Sequence, residues 1–411
     1  MDFDHPPAVR ALMDRLEAFM AAEVMPRARA WREAGLTGEY PPFVGEIQAK
    51  ARDAGLWNMA VPNLPEDAPG HRLTNTEFAP LAEIMGRFMG APKAFNCHAP
   101  DVPNMIMLAD AVTPEQRRRW LDPLLEGQVQ SAFAMTEPAV ASSDAANIRT
   151  TIRREGDDYV IDGRKWFISG GGAAAFHLVM GVTDPAADPA ARQSVVMVPA
   201  DAPGVRLIRP LTFLGFMEPG AGAWEIAYEG VRVPAENLLG REGDGFRLGQ
   251  VRLGPARVHH CMRAIGHSET LIELMLQRAR ERRAFGRAIA EFDSIQHMIA
   301  RSRIELDQAR LLTWKCAWSL DRDGFRAARQ EVSLIKVAVA ETYQRIADRA
   351  LQVFGAMGGS TDAPIADAFA WARGLRIFDG PDEVHLRQIY RLEPQPAGAL
   401  GASPHVLPPP D

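Results

Sequence analysis

The interval at which apolar residues recur changes twice along this 411-residue chain. Up to residue 130 they recur every three or four positions, as one buried helical face requires; examples are Val9, Leu12, Met13, Leu16 and Phe19. Between residues 131 and 240, short runs of β-branched and aromatic residues alternate with Gly, Pro and Asp turn signals. Beyond residue 240 the helical interval returns. The chain is therefore predicted to place a sheet between two helical regions.

The predicted fold class is α+β and mostly α. We expect an N-terminal helical domain over 1–130, a central antiparallel β-barrel or sandwich over 131–240, and a four-helix-bundle-like domain over 241–395. In that bundle, Asp321 to Gly324 separates two long predicted helices. Glu218 to Gly220 is a predicted turn in the β domain. Residues 396–411 are rich in Pro and Gly and are predicted to form a disordered tail.

Composition limits the classes of function. Hydrophobic residues make up 47% and charged residues 24% of the chain, as in ordinary soluble globular proteins. A net charge of −6 gives no electrostatic reason to expect a nucleic-acid partner. The most apolar windows are about ten residues long, too short to span a membrane. We expect a cytoplasmic enzyme.

The three cysteines and ten histidines also exclude some kinds of site. Cys97, Cys261 and Cys316 have no CxxC spacing, so we expect buried free thiols and no disulfide framework. The histidines do not recur with cysteines or carboxylates at ligand spacing, and no metal site is predicted.

One segment, from Phe133 to Gly172, combines small hydroxyl residues, a Pro-turned loop and two neighbouring aromatics. Taken singly, Ser, Thr and Pro are common in loops because they satisfy turns locally. Together, hydroxyls and turn amides can hold polar edges and phosphates, and aromatics can cover a flat ring. These residues therefore indicate either an ordinary loop or a site for a planar, phosphate-bearing cofactor.

The whole segment resembles the flavin-contacting loop and strands of the acyl-CoA dehydrogenase superfamily. The helical, β, helical order along the chain is also similar to that family's architecture. The strings Asn96–Asp101 and Gly380–His385 resemble the branch of mammalian acyl-CoA dehydrogenase members ten and eleven. The resemblance implies an FAD enzyme that acts on acyl-CoA thioesters.

The resemblance assigns the flavin ring to one loop and one strand. It implies cofactor contacts from Phe133, Met135, Thr136, Ser142, Phe167 and Ser169. Phe167 stands where the family has Trp, which keeps a ring but removes the indole donor. Ser143 aligns either with a flavin phosphate contact or with a substrate contact. Because this loop is one residue longer than the more familiar version, the roles of Ser142 and Ser143 can be exchanged.

Two further motifs imply that each flavin site is completed by a second subunit. Glu281 to Arg287 is on its own most often a solvated helix end, and a Gly-rich helix end is mostly a C-cap signal. Both resemble family elements that reach the FAD of the adjacent subunit. The residues so implied are Arg282, Phe285, Gln352 and Ala356, together with Glu383. A homodimer or homotetramer is expected.

Asp379 is the predicted catalytic base. Locally, Asp379 or Gly380 could equally be the N-cap of a helix, because Gly-Pro-Asp-Glu is typical of a helix start. The segment resembles the family's Tyr-Glu-Gly-Thr, which places Asp379 at the position of the base. Some members of the family place the catalytic Glu on an earlier helix. The position in this chain that resembles it is Ala256, which has no carboxylate. Arg257 and Gly380 are the predicted substrate contacts.

The resemblance implies α,β-dehydrogenation of an acyl-CoA to the trans-2-enoyl-CoA, with electrons passed to an electron-transfer flavoprotein. A carboxylate must meet the weakly acidic α-proton in a dry site that polarises the thioester carbonyl. A nitroalkane oxidase-like enzyme is an alternative, since such enzymes use Asp as base. A flavin-free acyl-CoA-binding scaffold is the alternative from outside enzymology.

Overall fold

The computed structural model describes residues 4–37, 40–216 and 222–394. The predicted turn at Glu218 to Gly220 and the predicted tail at 396–411 lie outside the described residues. The described chain is mostly helical, with a sheet between two helical regions, as the sequence predicts.

The first region contains seven α-helices among the residues described. The first of them continues as a π-helical turn at Met20–Val24, so that Leu16, Met20 and Val24 are all buried. Thr113 and Gln116 form the predicted capping box of the sixth helix. The helices are α1 (Pro7–Phe19), α2 (Ala28–Thr37), α3 (Val44–Asp53), α4 (Asn75–Gly86), α5 (Asp101–Ala111), α6 (Pro114–Gln116) and α7 (Asp122–Leu125).

Eight strands of the described residues form one sheet in the middle of the chain. They are β1 (Ser131–Ala134), β2 (Thr151–Glu155), β3 (Asp158–Ser169), β4 (Phe176–Val182), β5 (Gln193–Pro199), β6 (Val205–Leu211), β7 (Ala223–Pro234) and β8 (Leu238–Leu239). Their order is β6-β7-β3-β2-β4-β5-β8, and β1 pairs with β4. Alternating side chains of these strands, such as Ile161, Val196 and Val231, form a core of their own.

The predicted antiparallel pairing is found between most neighbouring strands of the described sheet, and it is wrong for two pairs. β1 runs parallel to β4, with Ser131 opposite Phe176, and β2 meets β4 in parallel at Thr151. The β2–β3 hairpin lies between β1 and β4 in sequence. A connection of that length lets two strands run in the same direction, which a tight hairpin does not.

The C-terminal region contains five helices within the described residues. They are α8 (Gly245–Glu281), α9 (Asp293–Ala327), α10 (Arg329–Phe354), α11 (Ile365–Leu375) and α12 (Asp382–Leu392). A short hairpin of β9 (Arg283–Ala284) and β10 (Arg287–Ala288) follows α8. The predicted break between the two long helices is present at Gly324. With φ 76° and ψ 169° this residue is non-helical and interrupts α9, and the chain then passes to α10 at Ala328.

Helix α8 joins the three regions. It packs against α4 and α5 on one side and against α10 on the other. A Cβ at Gly266 would lie 1.9 Å from the Glu83 carbonyl oxygen, and one at Gly86 would lie 2.3 Å from the Arg263 oxygen. Only glycines allow the α4 and α8 backbones to approach so closely. This contact fixes the rotation of α8, and therefore the direction in which its polar side chains point.

The three cysteines are free and buried, as predicted. Burial raises the pKa of Cys97 and of Cys261 to about 12, so both are neutral thiols at physiological pH. Within the residues described, no helix has the length and apolar character needed to cross a membrane. The same residues contain no group of three His, Cys, Asp or Glu side chains arranged to hold a metal ion.

Candidate active site

Asp379 lies in the loop between α11 and α12, with its backbone in the left-handed region at φ 55°. Helix α12 begins at Asp382, and Pro381 occupies its N-cap position. The alternative that Asp379 or Gly380 caps this helix is therefore wrong. A non-glycine residue held at positive φ costs about 1–3 kcal/mol and is found mainly where the surroundings enforce it.

Cations hold this loop through its carbonyl oxygens. Arg257 Nε donates to the Asp379 carbonyl oxygen at 2.7 Å, and Lys336 Nζ donates to that of Gly380 at 3.2 Å. Gly380 has φ 104°, and a Cβ there would lie 2.8 Å from His385 Nε2. Arg257 and Gly380, the predicted substrate contacts, thus both fix the position of Asp379 in this structure.

The Asp379 carboxylate faces two basic side chains of α8. His260 Nε2 lies 3.3 Å from Oδ2, and an Arg252 Nη lies 4.0 Å from Oδ1. The Asp379 side chain is 15% exposed, so it can be reached from outside. Burial by itself raises the pKa of Asp379. The His260 hydrogen bond and the nearby charges of Arg252 and Lys336 outweigh burial and hold that pKa below its ordinary range.

A buried relay of hydrogen bonds holds Arg252 in place. Arg252 Nε donates to Asn104 Oδ1 at 3.0 Å, and Asn104 Nδ2 donates to Ser131 Oγ at 2.9 Å. Ser131 donates in turn to Asp101, from its hydroxyl at 2.6 Å and its backbone N–H at 2.7 Å. The Arg252 guanidinium also lies over the Phe133 ring, 4.6 Å from the centroid. The first helical region, the sheet and α8 therefore meet beside Asp379, the predicted catalytic base.

His260 is held from the side opposite Asp379. Arg263 Nη2 lies 3.0 Å from His260 Nδ1, and the rings of Phe378 and Trp371 lie against the imidazole. Behind this ring is a cavity of about 60 Å³. Its lining mixes apolar and basic side chains, including Met89, Lys93, His98, Arg263, Trp371 and Leu375.

The predicted flavin loop is held from within by a buried ion pair. Glu137 and Lys165 are joined at 2.9 Å, and Lys165 also donates to the carbonyl oxygens of Met135 and Met180. Ser142 Oγ accepts from the Glu137 backbone N–H at 2.9 Å, whereas Ser143 is exposed. Ser142 therefore closes the loop and Ser143 faces outward.

Phe167 is turned out of the sheet that carries it. Its φ is 50°, the β3–β7 register shifts between Lys165 and Ile168, and the ring is 43% exposed. The Trp166 backbone N–H donates to the Thr136 carbonyl oxygen at 3.0 Å, which joins this strand to the flavin loop. Ser169 follows in the same strand, half-buried. An uncovered ring beside half-buried hydroxyls fits a planar cofactor that lies across this surface.

The residues predicted to reach a second subunit's cofactor are exposed. Arg282 follows α8 directly, and Phe285 is 97% exposed at the tip of the β9–β10 hairpin. Gln352 and Ala356 flank the end of α10. Arg278 and Phe354, near Arg282 and Gln352 respectively, contact each other at 5.6 Å from guanidinium to ring centroid. Glu383 is exposed in the first turn of α12.

The residues that surround Asp379 were missed by the sequence analysis. His260, Arg252 and Arg263 match no motif, and Lys336 lies in a different helix. One sequence signal was available: Arg252, Ala256 and His260 lie four apart and share one face of α8. Of the residues predicted from sequence, the structure brings together Asp379, Arg257, Gly380 and Phe133. Those predicted to reach a second subunit's cofactor lie on the outer surface: Arg282, Phe285, Gln352, Ala356 and Glu383.

Three family models match successive parts of the chain. They are described as the acyl-CoA dehydrogenase N-terminal domain (residues 6–128), middle domain (residues 132–226) and C-terminal domain (residues 243–392). Together they cover almost the whole chain.

Individual proteins match over similar lengths. The chain is 51% identical to "Probable acyl-CoA dehydrogenase FadE2" of Mycobacterium tuberculosis, over 86% of either chain. It is 44% identical to acyl-CoA dehydrogenase family member 10 of Mus musculus and 40% identical to family member 11 of Homo sapiens. Those alignments cover 94% and 92% of this chain. The chain spans only 37% and 49% of the two mammalian proteins.

Solved structures share the fold. One from Mycobacterium abscessus superposes with a TM-score of 0.91 and 43% identity, over 95% of this chain and 99% of that chain. The acyl-CoA dehydrogenase of Geobacillus kaustophilus superposes with a TM-score of 0.82 and 26% identity, over 95% and 99% of the respective chains.

Proposed function

The chain belongs to the acyl-CoA dehydrogenase family, whose members are FAD-dependent oxidoreductases, and we propose that it oxidises an acyl-CoA to the trans-2-enoyl-CoA with Asp379 as base. One observation carries this proposal. Asp379 is ionised, partly accessible and held at positive φ by contacts from α8, α10 and α12. A carboxylate fixed in this way is ready to accept a proton.

The residues present fit FAD on structural grounds. Phe167 offers an uncovered ring, Thr136 and Ser169 are half-buried beside it, and Arg282 is an exposed cation suited to a phosphate. We propose that Phe133, Met135, Thr136, Ser142, Phe167 and Ser169 hold the flavin. Bound FAD would supply the acceptor for the hydride that leaves the β-carbon.

The chain's own residues supply proton transfer and orientation. Asp379 removes the α-proton while Arg257, Lys336 and Gly380 keep its backbone in place. In the family, the backbone N–H of the base residue helps to hold the thioester carbonyl oxygen, and we propose that role for the Asp379 N–H. Ser143, exposed at the flavin loop, is the proposed contact to the rest of the thioester. The cavity beside His260 is the proposed site of the acyl tail.

We further propose that the enzyme is a homodimer or homotetramer and passes its electrons to an electron-transfer flavoprotein. The exposure of Arg282, Phe285, Gln352 and Ala356, with Glu383, supports a site completed by a second copy. Phe285 at 97% exposure is costly on a free surface, because burial of a Phe side chain gains about 1.5–3 kcal/mol. The buried free thiols favour a reducing compartment such as the cytoplasm.

The test is anaerobic mixing of the purified flavoprotein with a panel of acyl-CoAs. We expect the absorbance of oxidised flavin to bleach with at least one acyl-CoA, and added electron-transfer flavoprotein to restore it. Bleaching by nitroalkanes alone would contradict the proposal in favour of a nitroalkane oxidase. A colourless protein that takes up no FAD but binds acyl-CoA would indicate the scaffold alternative.

A further inference from the structure

His260 Nε2 faces Asp379, and the protonation of the other ring nitrogen is decided by a neighbour on the same helix. Arg263 Nη2 lies 3.0 Å from His260 Nδ1. A guanidinium has only donors and keeps its proton in proteins. His260 Nδ1 must therefore accept this hydrogen bond with its lone pair. The remaining ring proton is then on Nε2, 3.3 Å from Asp379 Oδ2.

We propose that Arg263 locks His260 in the neutral Nε2–H tautomer, so that the base is oriented by a hydrogen bond without facing another positive charge. This inference rests on the proposed role of Asp379 as base. A proton on Nδ1 would point at the guanidinium, so the lock excludes the imidazolium by geometry as well as by charge. His260 and Arg263 are positioning residues in this account.

The charges around the pair explain why a neutral histidine is needed. Arg252 and Lys336 already lower the pKa of Asp379. An imidazolium at 3.3 Å would lower that pKa further and weaken the carboxylate as a base towards a weakly acidic α-proton. A neutral imidazole donates the same hydrogen bond and keeps the carboxylate oriented. The neutral imidazole therefore orients the Asp379 carboxylate without lowering its basicity further.

The groups around His260 also favour its neutral form. The groups that face it come from four parts of the fold: Arg263 on its own helix, Asp379 from the loop between α11 and α12, Lys336 and Tyr343 from α10, and Lys93 and His98 from the first helical region. Burial, together with Arg263 and Lys336, lowers the pKa of His260, and Asp379 opposes them only in part. The His260 side chain as a whole is 12% exposed.

The backbone packing gives the lock its rigidity. The Arg263 carbonyl lies against Gly86 of α4, where a side chain could not be accommodated. Arg263 Nη1 also donates to the Cys97 carbonyl oxygen at 3.2 Å. The guanidinium is thus held by the first helical region while it faces His260.

The test that is independent of turnover is ¹⁵N NMR of the FAD-loaded protein, labelled at histidine. The His260 signals are assigned by their loss in His260→Gln. We expect an Nε2–H pattern that does not change between pH 8 and 5.5 in the wild type. In Arg263→Met, which lacks the donor to Nδ1, we expect a measurable Nδ1–H population. An Nδ1–H pattern, or a wild-type His260 that titrates in this range, would overturn the proposal whether or not acyl-CoA reduces the flavin.

The kinetic test compares flavin reduction by saturating acyl-CoA at pH 8 and 5.5. Arg263→Met removes one of the groups that lower the pKa of His260, so flavin reduction by this variant should slow more on acidification than reduction by the wild type. The wild type and Arg263→Lys, which retains a donor, should change less than about twofold. In the His260→Gln background, Arg263→Met should add no acid sensitivity, because Gln donates but does not titrate. Persistence of the acid sensitivity in that double variant would show that His260 is not its source.

Discussion

Glu137 is a buried carboxylate and Asp379 a half-buried one, both beside cations, yet the structure gives them different roles. Glu137 accepts from the Arg149 and Thr150 backbone N–H groups at 2.8 Å, from the Thr150 hydroxyl at 2.6 Å and from Lys165 at 2.9 Å. Its oxygens have little capacity left for a new partner. The Asp379 carboxylate oxygens lie 3.3 Å from His260 and 4.0 Å from Arg252, and part of the side chain is open to solvent.

The pKa values of Glu137 and Asp379 shift in the same direction and do not distinguish the roles of the two carboxylates. Burial raises the pKa of each carboxylate, and nearby cations and hydrogen bonds lower each one below its ordinary value. The difference lies in coordination. A carboxylate surrounded by fixed donors on rigid strands stabilises the fold, whereas one with free lone pairs at a strained loop can accept a proton. Three experiments test this distinction.

The largest effect should come from Asp379→Asn. Removal of a general base typically costs about 10²–10⁴-fold in rate, and we expect a loss of that size in flavin reduction by acyl-CoA. Asn adopts positive φ readily, so the loop should keep its shape and FAD should stay bound. Rapid-mixing absorbance measures the rate. The free energy of unfolding should change by no more than about 1 kcal/mol.

A normal rate of flavin reduction in Asp379→Asn would show that Asp379 is not the base, and the proposed difference in role between Asp379 and Glu137 would be lost. The matched control is Glu137→Gln, in which the flavin-loaded fraction should still be reduced. A larger loss of rate per bound flavin in Glu137→Gln than in Asp379→Asn would reverse the assignment.

Glu137→Gln should have the larger effect on stability. It leaves Lys165, which is fully buried, without a counter-ion, and breaking a buried pair costs about 3–5 kcal/mol. We expect a lower urea midpoint by circular dichroism and weaker retention of FAD, because Lys165 also holds the Met135 carbonyl. The double variant Glu137→Gln, Lys165→Met should recover much of the loss, since no buried charge remains.

The same variant predicts a pH dependence. The pKa of Glu137 in the folded protein is lowered from 4.5, so the stability it contributes is complete above that value and is lost as the pH falls through the folded pKa. The difference in stability between wild type and Glu137→Gln should shrink as the pH falls below 4.5. A difference that grows on acidification would contradict the pairing.

The smallest effect should come from Thr150→Val, which removes one hydroxyl donor to Glu137 and nearly preserves shape. A hydrogen bond to a charged group contributes about 1.5–3 kcal/mol, and urea unfolding should show a loss in this range. Thr151→Val is the matched control, since the Thr151 hydroxyl has no charged acceptor: it donates to the Asp162 carbonyl oxygen at 3.5 Å and accepts from exposed Arg153 at 3.2 Å. Equal losses in the two variants would mean that the Thr150 hydroxyl has no special role.

The order of helical and sheet regions, the buried thiols and the capping box could all be predicted, because each depends on local periodicity or on adjacent residues. The direction of β1 relative to β4 could not, since it depends on the path of the intervening β2–β3 hairpin. The role of Glu137 was also missed, although it lies in the flavin-loop motif. Its partner Lys165 is 28 residues away and is recognised only when β3 is in place.

Sequence by itself determined the family, the cofactor class and the position of the candidate base, because the motifs that carry them are contiguous. Only the tertiary structure decided which groups act on that base. His260, Arg252 and Lys336 converge on Asp379 because α8 passes between α4 and α10 at a rotation fixed by the Gly86 and Gly266 contacts. Charge interactions and hydrogen bonds depend on distance through space, which these separated residues acquire only when the helices pack.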